Sequence, residues 1–159
     1  MALDGRVLLH DWLTVYTDRF SLRLLRKGDP FDKQQLLHRV ADVTSKIPDE
    51  SVIYVLSIVK GEELVPVYVG KTKTPLKRWE GHINGLLRGG GRYSKWLQVL
   101  FQNWKARFDT SLILIPASKI SEPPIPNFPI TVGSVEYQLV ELVSGNYPET
   151  CLNVEGKRR

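Results

Sequence analysis

The sequence predicts a small α/β fold of the α+β kind, a mainly antiparallel three-stranded sheet flanked by helices. Two runs rich in β-branched and aromatic residues, 52–58 (VIYVLSI) and 64–69 (LVPVYV), stand either side of Lys60-Gly61-Glu62-Glu63. That is the pattern of an antiparallel hairpin. A third short apolar run, 111–115 (SLILI), supplies another strand. The order of elements is helices, hairpin, helix pair, strand, loop, helix, which leaves an antiparallel sheet with helices around it.

The first fifty residues read as a helical extension. One helix is expected over about 7–26 and is broken by Lys27-Gly28-Asp29-Pro30. A second is expected over 33–46, capped by Asp32, with Leu36, Leu37, Val40 and Val43 on one face. Pro48-Asp49-Glu50 then divides the chain into an extension, 1–50, and a main domain, 51–159. Within the hairpin Pro66 has no N–H to give a ladder, so an edge or a bulge is expected there. Thr74-Pro75 starts a helix that runs to about residue 87 and stops at Gly89-Gly90-Gly91. A further helix over about 94–108 places Trp96, Leu97, Leu100, Phe101 and Trp104 on a stripe that reads as core. Residues 117–131 hold Pro123, Pro124, Pro126 and Pro129 and read as an irregular loop. The last helix is expected over about 134–144, ended by Gly145-Asn146, before Leu152-Asn153-Val154 and the basic Lys157-Arg158-Arg159.

A chain of 159 residues with 42% hydrophobic and 25% charged residues has the makeup of one globular unit, not of a disordered or fibrous one. No apolar run approaches the roughly 18 residues of a membrane span, so no membrane partner is expected. Asp4, His10 and Asp11 interrupt the start, and a single cysteine, Cys151, rules out an internal disulfide and a multi-cysteine zinc site. The expectation is a cytoplasmic protein kept reduced. The net charge of +5 is unevenly spread: residues 60–107 hold ten Lys or Arg against three acids. A basic middle of that kind suits a phosphate-bearing partner, although charge alone also describes solvated helix faces.

Three groups carry chemistry. Tyr54 and Tyr68 sit in the two strands of the hairpin, where taken singly they read as a packed aromatic pair. Arg78 and His82 are four apart on one helix and face the same way, a donor fork beside a group that titrates near neutrality. Glu136 falls in the first turn of the last predicted helix, where a carboxylate either favours the helix N-terminus or holds a hard cation.

Together, Val52-Ile53-Tyr54, Tyr68-Val69-Gly70-Lys71-Thr72, Pro75-Leu76-Lys77-Arg78-Trp79 with His82, and then Glu136 and Asn153 in order, resemble the GIY-YIG nuclease family. The resemblance covers about residues 52–155. The first tripeptide here is Val-Ile-Tyr where the family name has Gly-Ile-Tyr, and the second is Tyr-Val-Gly. It implies a metal-dependent DNA endonuclease using Mg²⁺ or Mn²⁺. In that reading Tyr68 or Tyr54 activates the attacking water, His82 takes or relays a proton, and Arg78 holds the scissile phosphate. Glu136 ligates the one metal, Asn153 braces the site, and Gly70 supports it. Lys71, Lys73, Arg88, Arg92 and Lys95 are then expected on the backbone of double-stranded DNA, with Trp79 in the core.

The single cysteine excludes the family type with an appended zinc domain, and nothing after Asn153 matches the modules of homing enzymes. A stand-alone restriction-type or phage-type enzyme is the expected kind, its first fifty residues recognising DNA or forming a homodimer. The competing readings are a non-catalytic DNA-binding module on the same fold and a toxin-type non-specific DNase.

Overall fold

The hairpin predicted from the β-branched runs is the centre of the computed structural model, which describes residues 4–153. Along the chain the elements are α1 (Gly5–Phe20), β1 (Ser21–Leu25), α2 (Lys33–Thr44), β2 (Val52–Lys60), β3 (Glu63–Thr72), α3 (Pro75–Arg88), α4 (Tyr93–Leu100), β4 (Phe101–Gln102), β5 (Lys105–Ala106), β6 (Asp109–Pro116) and α5 (Val132–Asn146). The fold is α+β. Its main sheet runs β1-β6-β2-β3 with every neighbouring pair antiparallel, and β4 and β5 form a separate two-stranded hairpin.

Strand β2 reads as a nearly unbroken apolar run because it is the inner strand, paired on both sides and buried for its first seven residues. Ile53, Tyr54, Val55 and Leu56 meet Leu112, Ile113, Leu114 and Ile115 across the β2–β6 ladder, all fully buried. The β2–β3 turn is Gly61-Glu62, with Gly61 at φ +64°, a value glycine takes without strain. Strand β3 is the edge. Its ladder slips between Leu56 and Ser57, opposite Tyr68 and Pro66, so Pro66 sits at both an edge and a bulge, as its missing N–H requires.

The sheet has four strands, not three. Residues 21–25 leave the predicted helix and become β1 on the outer edge of β6. Nothing in Ser-Leu-Arg-Leu-Leu favours a strand locally. What decides it is the open edge of β6: pairing there satisfies the ladder and buries Leu24 and Leu25. Thr110 adds a side-chain acceptor for the Leu25 N–H at 2.9 Å. The first fifty residues are therefore not a purely helical extension. They supply a strand of the same sheet, α1 packs on β6 and α5, and α2 packs on α3 and β1.

A second difference follows residue 100. The predicted long helix ends at Leu100, and Phe101–Gln102 pairs with Lys105–Ala106 around Asn103-Trp104. Trp96, Leu100 and Phe101 are core as expected, but Trp104 is 47% exposed at the turn. The proline-rich segment contains a short 3-10 turn, Ala117–Lys119, and is otherwise irregular. It is pinned by the fully buried Gln138 of α5, which accepts from the Ile125 N–H at 3.0 Å and donates to the Pro129 carbonyl at 2.8 Å. Helix α5 starts at Val132 with Thr131 as its cap, so Glu136 falls in the second turn rather than the first, and the helix runs through Gly145-Asn146. Lys157-Arg158-Arg159 lie outside the described residues.

Candidate active site

Antiparallel register sets the two strand tyrosines on one face, diagonal to each other: Tyr54 lies opposite Gly70 and Tyr68 opposite Leu56. Their ring centroids are 5.9 Å apart. Gly70 is needed for this arrangement, because a Cβ there would run into the ring and hydroxyl of Tyr54. Outside the sheet, Asn153 grips the free edge of β3 on both sides of Val69, accepting from its N–H at 3.0 Å and donating to its carbonyl at 2.8 Å. An amide side chain thus supplies the ladder partners that an edge strand lacks, next to Tyr68 and Gly70.

Helix α3 lies against the tyrosines. Thr74 occupies its cap position but makes no side-chain bond into the helix; Thr72 instead accepts from the Thr74 N–H at 3.0 Å, and Pro75 opens the first turn. The helix places Trp79, His82 and Ile83 inward, while Arg78, four residues before His82, stays at the rim. Trp79 is core as expected.

The hydrogen-bond directions follow from chemistry. Arg78 has only donors, so its Nη1 donates to the Tyr54 oxygen at 3.4 Å. The Tyr54 proton is then directed to His82 Nε2, 3.3 Å away. A neutral ring that accepts at Nε2 carries its proton on Nδ1, which faces the Tyr93 hydroxyl at 2.9 Å. Burial, with Arg92 and Arg78 adding to it, pushes the His82 pKa down from 6.5 to about 3. Burial likewise drives the Tyr54 hydroxyl well above its ordinary value near 10, and the nearby Tyr68 adds to this, outweighing Arg78. Tyr54 and His82 are therefore neutral, fixed partners at pH 7. The imidazole is a spacer between two hydroxyls more than a free base.

Tyr93 was not among the residues singled out from the sequence. Its ring fits against α3 where Gly85 has no side chain, and a Cβ on Gly85 would overlap it. A glycine inside a helix is a costly choice, and Gly85 was the one sequence signal of a close approach here. Burial raises the Tyr93 hydroxyl above its ordinary value.

Charge gathers at the rim. Arg92 Nη2 donates to the Tyr68 hydroxyl at 2.9 Å. Lys71 Nζ stands 3.9 Å from a Glu136 carboxylate oxygen and close to Gly133 in the first turn of α5. Burial works against the Arg78 charge, but the bond to the Tyr54 hydroxyl and the neighbouring Glu136 carboxylate favour it, and the net shift is upward. Glu136 thus joins from a distant part of the chain, facing Lys71 and influencing Arg78. Lys95 leans toward the Pro148 carbonyl at 3.5 Å, while Lys73 and Arg88 are exposed.

Among the described residues no three His, Cys, Asp or Glu side chains converge as a metal-binding group. A zinc-type cage does not fit this donor set. A single part-exposed carboxylate does fit a hard cation such as Mg²⁺, which takes one or two protein carboxylates and keeps its waters. No protein-family model, curated protein or solved structure matches this chain. No helix among the described residues is long and apolar enough to cross a membrane.

Proposed function

We propose that the protein is a metal-dependent DNA endonuclease of the GIY-YIG type, hydrolysing phosphodiester bonds in double-stranded DNA. The observation that carries the reading is the gathering of Arg78, Lys71 and the sequence-distant Glu136 on one charged rim, backed by the buried Tyr54, Tyr68 and His82. Each residue has an ordinary structural use by itself. Their meeting at a surface rich in cations is what phosphoryl chemistry needs, since positioning and charge stabilisation dominate that reaction.

In this reading Arg78 clamps the scissile phosphate with a fork fixed by Tyr54 and by the Lys71 carbonyl at 3.5 Å. Tyr68, the more exposed of the two tyrosines and held by Arg92, aligns the attacking water. His82 holds Tyr54 in one orientation through a single tautomer and excludes solvent from behind it. Glu136 would hold a divalent ion, Mg²⁺ or Mn²⁺, whose chemistry is to neutralise charge on the leaving oxygen. Lys71, 3.9 Å away, faces the carboxylate and orients it. Lys71, Lys73, Arg88, Arg92 and Lys95 continue the positive rim along the DNA backbone, and a homodimer would let both strands of a symmetric site be cut.

Incubation of supercoiled plasmid with the purified protein in Mg²⁺, with an EDTA control, tests the proposal. Metal-dependent conversion to nicked, linear or discrete products is expected. A plasmid left intact but retarded in a gel would replace the nuclease with a non-catalytic binding module, and a smear would identify a non-specific DNase.

A further inference from the structure

The β4–β5 hairpin is a second cationic feature, separate from the candidate active site. Between it and the segment after β1 lies a groove of about 520 Å³, lined by Lys27, Gln102, Asn103, Lys105, Arg107 and Phe108 and by no carboxylate. The nearest acids are already engaged. Asp109 accepts from the Lys27 N–H at 2.8 Å and pairs with Arg23 at 2.9 Å, and Asp29 pairs with Arg39 at 3.8 Å. Three uncompensated cations and two amides thus face open solvent together.

The tip of the hairpin is strained and exposed. Asn103 and Trp104 take φ values of 53° and 63°, the two positive positions of a turn that prefers Asn followed by Gly. A bulky residue at the second position costs stability, and the structure holds it there firmly. The Phe31 N–H donates to the Trp104 carbonyl, the Gly28 N–H to the Ala106 carbonyl and the Ala106 N–H to the Asp29 carbonyl, each at 2.8 Å. The Phe31 ring meets the Trp104 indole edge-on at 5.5 Å, leaving the indole 47% exposed.

We propose that this hairpin is a second nucleic-acid contact: the groove seats backbone phosphates between Lys27, Lys105 and Arg107, and Trp104 lies against the adjoining nucleotide. Cations with amide donors recognise phosphate, and an indole presented on a rigid tip suits the apolar face of a backbone sugar. Helix α4 spans about 12 Å between Arg92 at the site rim and the hairpin, by its rise per residue. The contact therefore extends the footprint to DNA flanking the cut, and it rests on the reading that DNA is this protein's ligand.

The test is binding of a short labelled duplex in EDTA, by fluorescence anisotropy across a salt series, so that no cleavage is needed. Two variants are compared with wild type. Lys27→Gln/Lys105→Gln removes two groove charges while keeping Arg107, which also holds the Gln98 carbonyl at 2.6 Å. Trp104→Asn removes the indole but keeps a residue that tolerates the left-handed backbone. The charge variant should lower the salt slope by about 2, and Trp104→Asn should weaken binding about 5-fold or more, with melting midpoints near wild type. An unchanged slope together with wild-type affinity for Trp104→Asn overturns the proposal while leaving the nuclease reading intact. Hairpin-dependent binding by a protein that never cuts supports the hairpin and overturns the nuclease. Binding to phosphatidylserine vesicles with none to the duplex overturns both.

Discussion

The candidate site has two layers that differ in charge and in solvent. The inner layer, Tyr54, His82 and Tyr93 among Trp79 and Trp96, holds neutral groups in one chain of hydrogen bonds. The rim, Arg78, Arg92, Lys71 and Glu136, is charged and reaches water. Desolvation explains the division: a buried charge is expensive, so the interior keeps imidazole and phenols uncharged and leaves ions where water and a ligand meet them. The same site can therefore be broken in two ways, through its chemistry or through its scaffold.

Rim substitutions should hit chemistry alone. Arg78→Ala and Glu136→Gln are expected to lower DNA cleavage at least about 100-fold, as for loss of one preorganised electrostatic group. Thermal melting should stay within about 2 °C of wild type, because surface changes rarely exceed about 0.5 kcal/mol.

Gly70→Ala attacks the inner layer directly. The added Cβ meets the Tyr54 ring, which is wedged against Trp79 and has little room to move. Overpacking of about 1–3 kcal/mol is expected, read by calorimetry as a midpoint lower by about 2–12 °C, with cleavage falling as Tyr54 shifts.

The neutral imidazole gives a pH signature. His82 is pushed down to about 3 in the folded chain from 6.5. Above pH 6.5 folded and unfolded chains both leave it uncharged, so its contribution is flat. Below that, the unfolded chain takes up a proton that the fold refuses, and stability falls by about 1.4 kcal/mol per pH unit until pH approaches 3. Urea unfolding between pH 7 and 4 should show this slope in wild type and a shallower one in His82→Gln.

Tyr93→Phe should be the mildest. It removes one hydroxyl from His82 Nδ1 at a part-exposed position, expected to cost about 1 kcal/mol and to leave DNA affinity unchanged by anisotropy.

The hairpin region was legible in the sequence because its information is local. Period and β-branching mark β2 and β3, Pro66 marks the edge, and Thr74-Pro75 marks the helix that carries Arg78 and His82. The regions misjudged take their form from distant partners. Residues 21–25 become a strand because β6 offers an open edge, and Trp104 leaves the predicted helix because the chain folds back to pair with Pro30 and Asp29. Tyr93 was overlooked for a related reason: only the fold brings it over Gly85. Glu136 stands on the expected helix, but that helix starts at Val132, two residues before the expected start, because Thr131 caps it.

The most direct test of the division between charged rim and neutral scaffold is one paired measurement on Glu136→Gln: plasmid cleavage in Mg²⁺ and melting of the same sample. Wild type is expected to cleave, the variant to be slower by about 100-fold or more, and the two melts to superimpose. Wild-type cleavage by Glu136→Gln would remove the carboxylate from the chemistry, and its unfolding would make Glu136 part of the scaffold instead.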